Sequence, residues 1–348
     1  MDIKAYIYHK KAEKYSDCQD CFGINTQSNR IAISDGMSQS IFPQWWAKIL
    51  VDSYLEMGVI PEDISPLQKQ WQQKLQDEII KREEEAKSNP QRDPWRLKNS
   101  FAEKSGAGAT LCGLSINDNE WVCECLGDSC LIAVNNDYSL TFYTSQEGEF
   151  GNHPDYFDSF TIGRGKRIKR AVNSDVRALI MVSDPFAELF KIHESDLNFI
   201  KERLTELEQL SDHNSFKELV EKWRDIFNMH NDDSTLVFID RLNISGFTKV
   251  HIDDLSELCK NENDSAQISN CSEMISEKVC ISRHIKEDDS RRKSGNEIQN
   301  ITKDKAFKNF ESACNELFPF YSGKKNKRRI KKWINKISSC AIKKYLNK

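Results

Sequence analysis

Short apolar runs alternate with longer amphipathic stretches over the first 243 residues of the chain. The short runs are rich in β-branched and aromatic residues and predict strands. They are IKAYIYH, CFGIN, RIAIS, ATLCGLSI, EWVCECLG, CLIAVN, LTFYT, RALIMVS and TLVFID. The longer stretches predict helices at 43–57, 65–87, 196–210 and 215–227. Because the strands come in consecutive groups joined by short turns, we expect an α+β fold in which helices pack outside antiparallel sheets.

This pattern stops near residue 243. Residues 244–305 are polar, rich in Asn and Ser and weakly periodic, which is typical of a flexible linker with at most one short helix. Residues 306–348 regain a helical pattern and predict a C-terminal helical extension. The expected organisation is therefore a folded domain at 1–243, a linker at 244–305 and a helical tail at 306–348.

The composition agrees with a globular protein that has much solvated surface. Hydrophobic residues make up 38% of the 348 positions and charged residues 30%. No apolar run reaches the length of a membrane span, and the N-terminus lacks the pattern of a signal peptide. We therefore expect a cytoplasmic protein whose eleven cysteines are reduced thiols.

The charge is unevenly distributed. The last 25 residues carry eleven Lys or Arg and no acid, so the net charge of −4 leaves about −15 (−4 − 11) on the remainder. Apolar residues in the tail recur mostly at three- and four-residue steps: Ile330, Trp333, Ile334, Ile337, Ala341, Ile342, Tyr345 and Leu346. Such a basic amphipathic helix suits an anionic membrane, nucleic acid or an acidic protein surface, including the acidic part of the same chain. A solvated helix that packs its apolar stripe locally is the alternative.

Acidic residues recur at the ends of the predicted strands. Three follow a strand and others precede one: Asp35, Asp128 and Asp184, then Asp20, Asp232 and Asp233. Because neighbouring antiparallel strands run in opposite directions, these positions can meet at one edge. Crowded carboxylates repel one another unless cations lie between them, and oxygen ligands suit Mg²⁺ or Mn²⁺. Gly36 would let the backbone approach an ion closely. The alternative is that each Asp merely forms a turn.

Six segments carry a resemblance to a known family. In chain order they are QDCFGI, IAISDGMSQS, GAGATLCGL, LGDSCLIAV, LIMVSDPF and NDDSTLVFI. Over residues 1–243 the sequence resembles the metal-dependent protein Ser/Thr phosphatases, the PPM or type 2C family, and is most similar to a bacterial subgroup. The resemblance implies an αββα sandwich of two mainly antiparallel sheets, with a metal centre at one end of the sheets.

The resemblance also implies roles for single residues. Asp35 would bridge two Mn²⁺ or Mg²⁺ ions, and the carbonyl of Gly36 would hold the second ion. Asp184 and Asp232 would hold the first ion and, with Asp35, form the catalytic core. Asp20 would serve the second ion or its waters. Asp128 would belong to a third, weaker metal site. Asp233 would be a supporting or turn residue.

The implied reaction is hydrolysis of phosphoserine or phosphothreonine in proteins by a metal-bridged water, without a covalent intermediate. The implied partners are a phosphorylated protein substrate and a cognate Ser/Thr kinase. An alternative is a phosphatase-like binding or regulatory module with little or no turnover, whose basic tail docks on an anionic partner, including a membrane.

Departures from the family pattern favour that alternative. Gln19 stands where members often have a metal-binding Glu, and Tyr15 stands near the usual phosphate-binding Arg. Lys14 is then the candidate phosphate-binding residue, although Lys lacks the bidentate fork of Arg. Met37 follows Gly36, as in many bacterial members, and no His lies nearby. The resemblance therefore implies a metal-bound water as the acid that protonates the leaving group, and this feature does not favour the alternative.

The cysteines suggest a zinc site only weakly. Cys18 and Cys21 form a Cys-x-x-Cys at a strand entry, where alternation points them to opposite faces. Cys123 and Cys125 would share a face but have no clear second pair, and structural zinc usually takes four ligands. Buried reduced thiols in the sheets are the favoured interpretation.

Overall fold

A computed structural model describes residues 1–89, 91, 93–117, 120–146, 154–240 and 247–263. Within these ranges no helix is long and apolar enough to cross a membrane. The predicted helical tail at 306–348 and most of the predicted linker lie outside the described residues.

The strands are β1 (Asp2–Tyr8), β2 (Cys21–Asn25), β3 (Arg30–Ser34), β4 (Gly108–Ala109), β5 (Leu111–Asn117), β6 (Glu120–Leu126), β7 (Cys130–Val134), β8 (Leu140–Tyr143), β9 (Phe157–Asp158), β10 (Ile168–Val172), β11 (Ala178–Val182), β12 (Ser234–Asp240) and β13 (Thr248–Ile252). The helices are α1 (Pro43–Met57), α2 (Ser65–Ser88), α3 (Trp95–Ala102), α4 (Asp184–Ile192), α5 (Leu197–Gln209) and α6 (His213–Phe227). A short 3₁₀ helix spans Tyr15–Asp17.

Two sheets form the centre of the fold. One has six strands in the order β13-β1-β12-β11-β7-β8, and the other has five in the order β10-β6-β5-β3-β2. Among the described strands, every pairing is antiparallel except that of β1 with β13. Helices α4, α5 and α6 cover the six-stranded sheet, and α1 and α2 cover the other. The predicted α+β fold, an αββα sandwich, is confirmed.

Both faces of the central strands are buried, which explains their continuous apolar runs. In β11, Ile180 and Val182 pack toward the helices, whereas Leu179 and Met181 pack between the sheets. Strand β12 divides its apolar side chains between the same two layers. This alternation follows from the two-residue period of a strand. It fixes the register, because a slip by one residue would exchange the two faces.

The predicted strands and helices are mostly present. Helix α4 is well buried but was not among the predicted helices, whereas two other missed elements, β10 and α3, share a physical reason. Helix α1 has the predicted bounds, with Pro43 in its first turn and a left-handed Gly58 at its end. Strand β10 was not predicted, because its central residues Lys169, Arg170 and Ala171 are exposed at a sheet edge. Helix α3 has no buried residue, so its apolar pattern is also weak.

The folded unit continues past the predicted boundary at residue 243. Strand β13 pairs with β1, and the Asp253 amide donates to the Ala5 carbonyl over 2.9 Å. Residues 255–263 are helical, and Leu255 and Leu258 pack against the core beneath the helices. The linker predicted from residue 244 therefore overlaps a folded segment, whose polar composition reflects its position at the sheet edge.

Candidate metal centre

Strand register brings the predicted acids to one end of the two sheets. In the five-stranded sheet Cys21 lies opposite Ser34, which places the preceding Asp20 beside the following Asp35. In the six-stranded sheet the end of β11 pairs with the start of β12, and the Ser183 amide donates to Thr235 O over 3.2 Å. The acids at the end of β11 and before β12 therefore adjoin.

The turn from β6 to β7 adds Asp128 where the chain crosses between the sheets. The Thr110 hydroxyl lies 2.6 Å from that of Ser129, next to Asp128. Thr110 also exchanges two hydrogen bonds with the backbone of Asp35, at 2.9 and 3.1 Å. Thr110 thus ties the end of β3 to the turn that carries Asp128.

The electrostatics show how closely the acids converge. Burial raises the pKa of Asp35 well above its ordinary value, and the charges of Asp20, Asp184, Asp128 and Asp232 raise it further. Burial also raises the pKa of Asp20 to about 8 and that of Asp128 to about 6. The five predicted carboxylates therefore converge in one cluster, in which Asp20 and Asp128 are buried and the other three are partly exposed. Their mutual repulsion opposes the ionisation of Asp20, Asp35 and Asp184.

Unpaired oxygen atoms in this cluster fit divalent cations. Within the described part of the chain, both carboxylate oxygens of Asp20 and one each of Asp128 and Asp184 are buried without a hydrogen-bond partner. Leaving buried charges unpaired is costly, and a bound cation removes that cost. A donor set made of carboxylates fits Mg²⁺ or Mn²⁺ better than a thiophilic metal.

His230 lies beside two of the acids, a placement that the sequence reasoning missed. It is exposed in the turn before β12, and a ring nitrogen lies within 4.8 Å of carboxylate oxygens of Asp184 and Asp232. Its position two residues before Asp232 is the sequence feature that could have identified this histidine. It is weak, because the side chain follows a helix end and not a strand.

Lys10 is a second residue that was missed. Its ammonium group lies 3.5 Å from an oxygen of Asp232 and 3.3 Å from the Ser38 hydroxyl. Burial lowers the pKa of Lys10, but Asp232, Asp233 and Glu13 together more than compensate, so that the pKa is raised. The Glu13 carboxylate lies 3.5 Å from the same ammonium group. The sequence prediction was Lys14, which is exposed at the start of the 3₁₀ helix. That prediction is not tested by these contacts, but Lys10 is the lysine placed against the acids.

Asp233 closes the loop that precedes β2. Its two carboxylate oxygens accept from the Lys10 amide at 3.0 Å and the Gln19 amide at 2.7 Å. Gly36 borders the same loop, where an added Cβ would lie 2.8 Å from the Gln19 carbonyl oxygen and 2.8 Å from Pro43. The conformation of this loop therefore depends on the Asp233 carboxylate and on the absence of a Cβ atom at Gly36.

The contacts of Tyr15 indicate a role in stabilising the fold. Its ring is buried and its hydroxyl lies 2.6 Å from Nε2 of His213. The other ring nitrogen of His213 lies 2.8 Å from Asp253, and the Tyr15 amide donates to Glu262 over 3.0 Å. Tyr15, which stands near the position of the family's usual phosphate-binding Arg, thus connects the loop before β2 to the segment that follows β13 and to the helical residues 255–263.

The family model described as protein phosphatase 2C matches residues 9–232. No curated protein matches the sequence significantly. Among solved structures, the chain is similar to serine/threonine phosphatase Stp1 from Staphylococcus aureus, with 15% identity, 69% of this chain and 95% of that chain covered, and a TM-score of 0.42.

Two structures of PstP are also similar. The Mycobacterium tuberculosis serine/threonine phosphatase PstP shares 15% identity, over 69% of this chain and 98% of that one, with a TM-score of 0.41. The catalytic domain of PstP in complex with two manganese ions shares 13%, with the same coverage and TM-score. The family model alone spans well over half of this chain. The chain therefore belongs to the protein phosphatase 2C family and is a protein serine/threonine phosphatase of this metal-dependent type.

Proposed function

We propose that this protein hydrolyses phosphoserine and phosphothreonine in protein substrates with Mn²⁺ or Mg²⁺ held by the acidic cluster. The observation that carries the proposal is the convergence of five carboxylates at one end of the sheets, three of which have buried oxygens without a hydrogen-bond partner. Asp35 would contact two ions, with Asp184 and Asp232 at the first. The second would be held by Asp20 and the Gly36 carbonyl, and Asp128 would provide for a third.

The bound ions would supply a nucleophilic water at neutral pH and neutralise charge on the phosphoryl oxygens. Without cations, a cluster of carboxylates repels a phosphate dianion, so substrate binding itself depends on the ions. Lys10 is placed to bind a phosphoryl oxygen, since its ammonium group lies at the edge of the cluster between Asp232 and Ser38. Asp233 positions Lys10 and Gln19 by holding their backbone amides.

A substrate of this kind is the product of a Ser/Thr kinase, so a cognate kinase is the expected functional partner. We propose a phosphatase domain at 1–243, a linker at 244–305 and a tail at 306–348, as the sequence predicts. The folded part continues into the predicted linker as far as residue 263. The basic tail is the expected contact for an anionic membrane, nucleic acid or an acidic protein surface.

The test is hydrolysis of p-nitrophenyl phosphate and of a phosphothreonine peptide with Mn²⁺, Mg²⁺ or EDTA. We expect metal-dependent turnover in the wild type and a loss of about 10²-fold or more in Asp35→Asn. Asp17→Asn is the matched control, because Asp17 is exposed in the loop that leads to Asp20. It should retain wild-type activity.

The rival function is a binding or regulatory module without turnover. Gln19 in place of a family Glu, and the buried Tyr15 near the usual Arg, favour it. If the wild type is as inactive as Asp35→Asn while Mn²⁺ still binds by calorimetry, the binding module replaces the enzyme.

A further inference from the structure

Three cysteines that the metal centre does not use lie together in the five-stranded sheet. Cys112 on β5 is directly opposite Cys125 on β6, and Cys123 lies two residues before Cys125 on the same face. All three are fully buried in the core between the two sheets. The sequence places Cys123 and Cys125 on one face, and the strand register supplies the third thiol.

The three sulfur atoms form a closed triangle. Sγ of Cys125 lies 3.2 Å from Sγ of Cys112 and 3.3 Å from that of Cys123, and the remaining side is 3.8 Å. Two of these separations are shorter than the roughly 3.5–4.0 Å of ordinary non-bonded carbon contacts, although sulfur is the larger atom. Among the described residues, no further His, Cys, Asp or Glu joins the three as a potential ligand.

The size of the triangle suits one ion bound on one side of it. With sulfur bonds of about 2.3 Å, an ion would lie about 1 Å out of the plane, at S–ion–S angles of about 90–110°. This is a three-sulfur pyramid. A structural zinc ion usually completes a tetrahedron with a fourth Cys, His or carboxylate ligand, and the part of the chain that the structure describes places none beside the three cysteines. The Tyr143 carbonyl oxygen lies 3.3 Å from Sγ of Cys125.

Charge narrows the choice of ion. Three thiolates carry three negative charges, and the surrounding core layer is formed by apolar residues such as Ile33, Leu114 and Leu131. Burying net charge in such a core is costly. A monovalent or divalent ion would leave net negative charge, whereas a trivalent ion leaves none. We propose that Cys112, Cys123 and Cys125 form a trithiolate site for a trivalent thiophilic ion, represented by arsenic(III).

The binding step exchanges oxygen for sulfur around arsenic. Arsenous acid, As(OH)₃, reacts with two thiols and the Cys125 thiolate to form three As–S bonds. Three As–O and two S–H bonds break, and with one proton from solvent three waters leave. Arsenic keeps its oxidation state, so no oxidant or reductant is needed. Burial raises the pKa of the Cys112 and Cys123 thiols well above the ordinary value. Burial also raises the pKa of Cys125, but the hydrogen bonds from Cys112 and Cys123 outweigh it and lower that pKa to about 5. The cluster thus holds one negative charge before binding, and the bound product is uncharged, as the core requires.

Native mass spectrometry of the full chain with one equivalent of arsenite tests the site. A phosphine keeps the thiols reduced, because a dithiol would compete for arsenic. We expect one adduct with the mass of one arsenic less three hydrogens. Cys112→Ala, Cys123→Ala and Cys125→Ala should each lose it or show a two-thiol adduct that retains a hydroxyl. Cys130→Ala is the matched control, a buried thiol in the other core layer, and should keep the three-thiol adduct.

Several outcomes would overturn the proposal. These are no wild-type adduct, a two-thiol adduct only, or a three-thiol adduct that persists in Cys123→Ala. X-ray absorption at the arsenic edge of the wild-type protein does not depend on whether the variants fold. Three sulfur neighbours support the site, and an oxygen neighbour contradicts it. Displacement of bound arsenite by an equal concentration of Zn²⁺ would refute the argument from charge.

Discussion

Removing one carboxylate from the acidic cluster should stabilise the protein when it is free of metal. Asp20 is 1% exposed, and neither of its carboxylate oxygens has a hydrogen-bond partner among the described residues. Burial, followed by repulsion from Asp233, raises its pKa from 3.8 to about 8. Asp20→Asn keeps the shape of the side chain and removes its charge.

The raised pKa of Asp20 determines how the unfolding free energy changes with pH. Below about pH 4 the Asp20 carboxyl is protonated in both the folded and unfolded states and contributes no difference. As the pH rises toward 8, only the unfolded state loses the proton readily, so the wild type loses up to about 1.4 kcal/mol of unfolding free energy per pH unit. Over about four units the upper limit is about 6 kcal/mol. Because neighbouring carboxylates titrate together, we expect about 2–5 kcal/mol at pH 8.

Urea unfolding in EDTA at pH 5, 6, 7 and 8 measures this effect through the buried residues Trp46, Trp71 and Trp223. The advantage of Asp20→Asn over the wild type should grow at each step. The exposed control Asp17→Asn should stay within about 0.5 kcal/mol of the wild type at every pH. Saturating Mn²⁺ should reverse the order, because an ion that binds the folded state stabilises it. An advantage that is flat or shrinks with pH would refute the reasoning.

Three other changes test the surroundings of the cluster. Lys10→Gln should raise KM for p-nitrophenyl phosphate about tenfold with a smaller change in kcat, since it removes a charged hydrogen bond to phosphate. Lys11→Gln is its control, because that ammonium group pairs with Asp225 at 2.9 Å, and an equal effect of both changes would count against Lys10. Gly36→Ala should cost about 1–3 kcal/mol in urea unfolding and weaken Mn²⁺ activation, because the new Cβ meets the Gln19 carbonyl at 2.8 Å; unchanged values would contradict this crowding. Asp253→Ala should destabilise by about 2–4 kcal/mol in calorimetry, as it removes the buried acceptor of three hydrogen bonds, and a neutral result would show that the C-terminal strand does not hold the loop.

The sequence by itself determined most of the elements and the positions of the acids. Helix α1 and the inner strands could be predicted, because burial on one or both faces imposes local apolar periods. The acids could be found because Asp35 and Asp184 directly follow predicted strands and lie within ordered family motifs. Exposed or edge elements such as α3, β10 and β13 escaped prediction, since an element that buries little side-chain surface has little apolar pattern.

Only the tertiary structure decided which side chains meet. Lys10 lies beside Asp232 although 221 positions separate them in the chain, and the alternative Lys14 lies exposed. Cys112 joins Cys123 and Cys125 through the register of β5 with β6. Such contacts depend on strand pairing between distant segments, and local periodicity contains no information on the partner or the register of a strand. The sequence therefore supplied the chemical groups, and the packing of the two sheets placed them together.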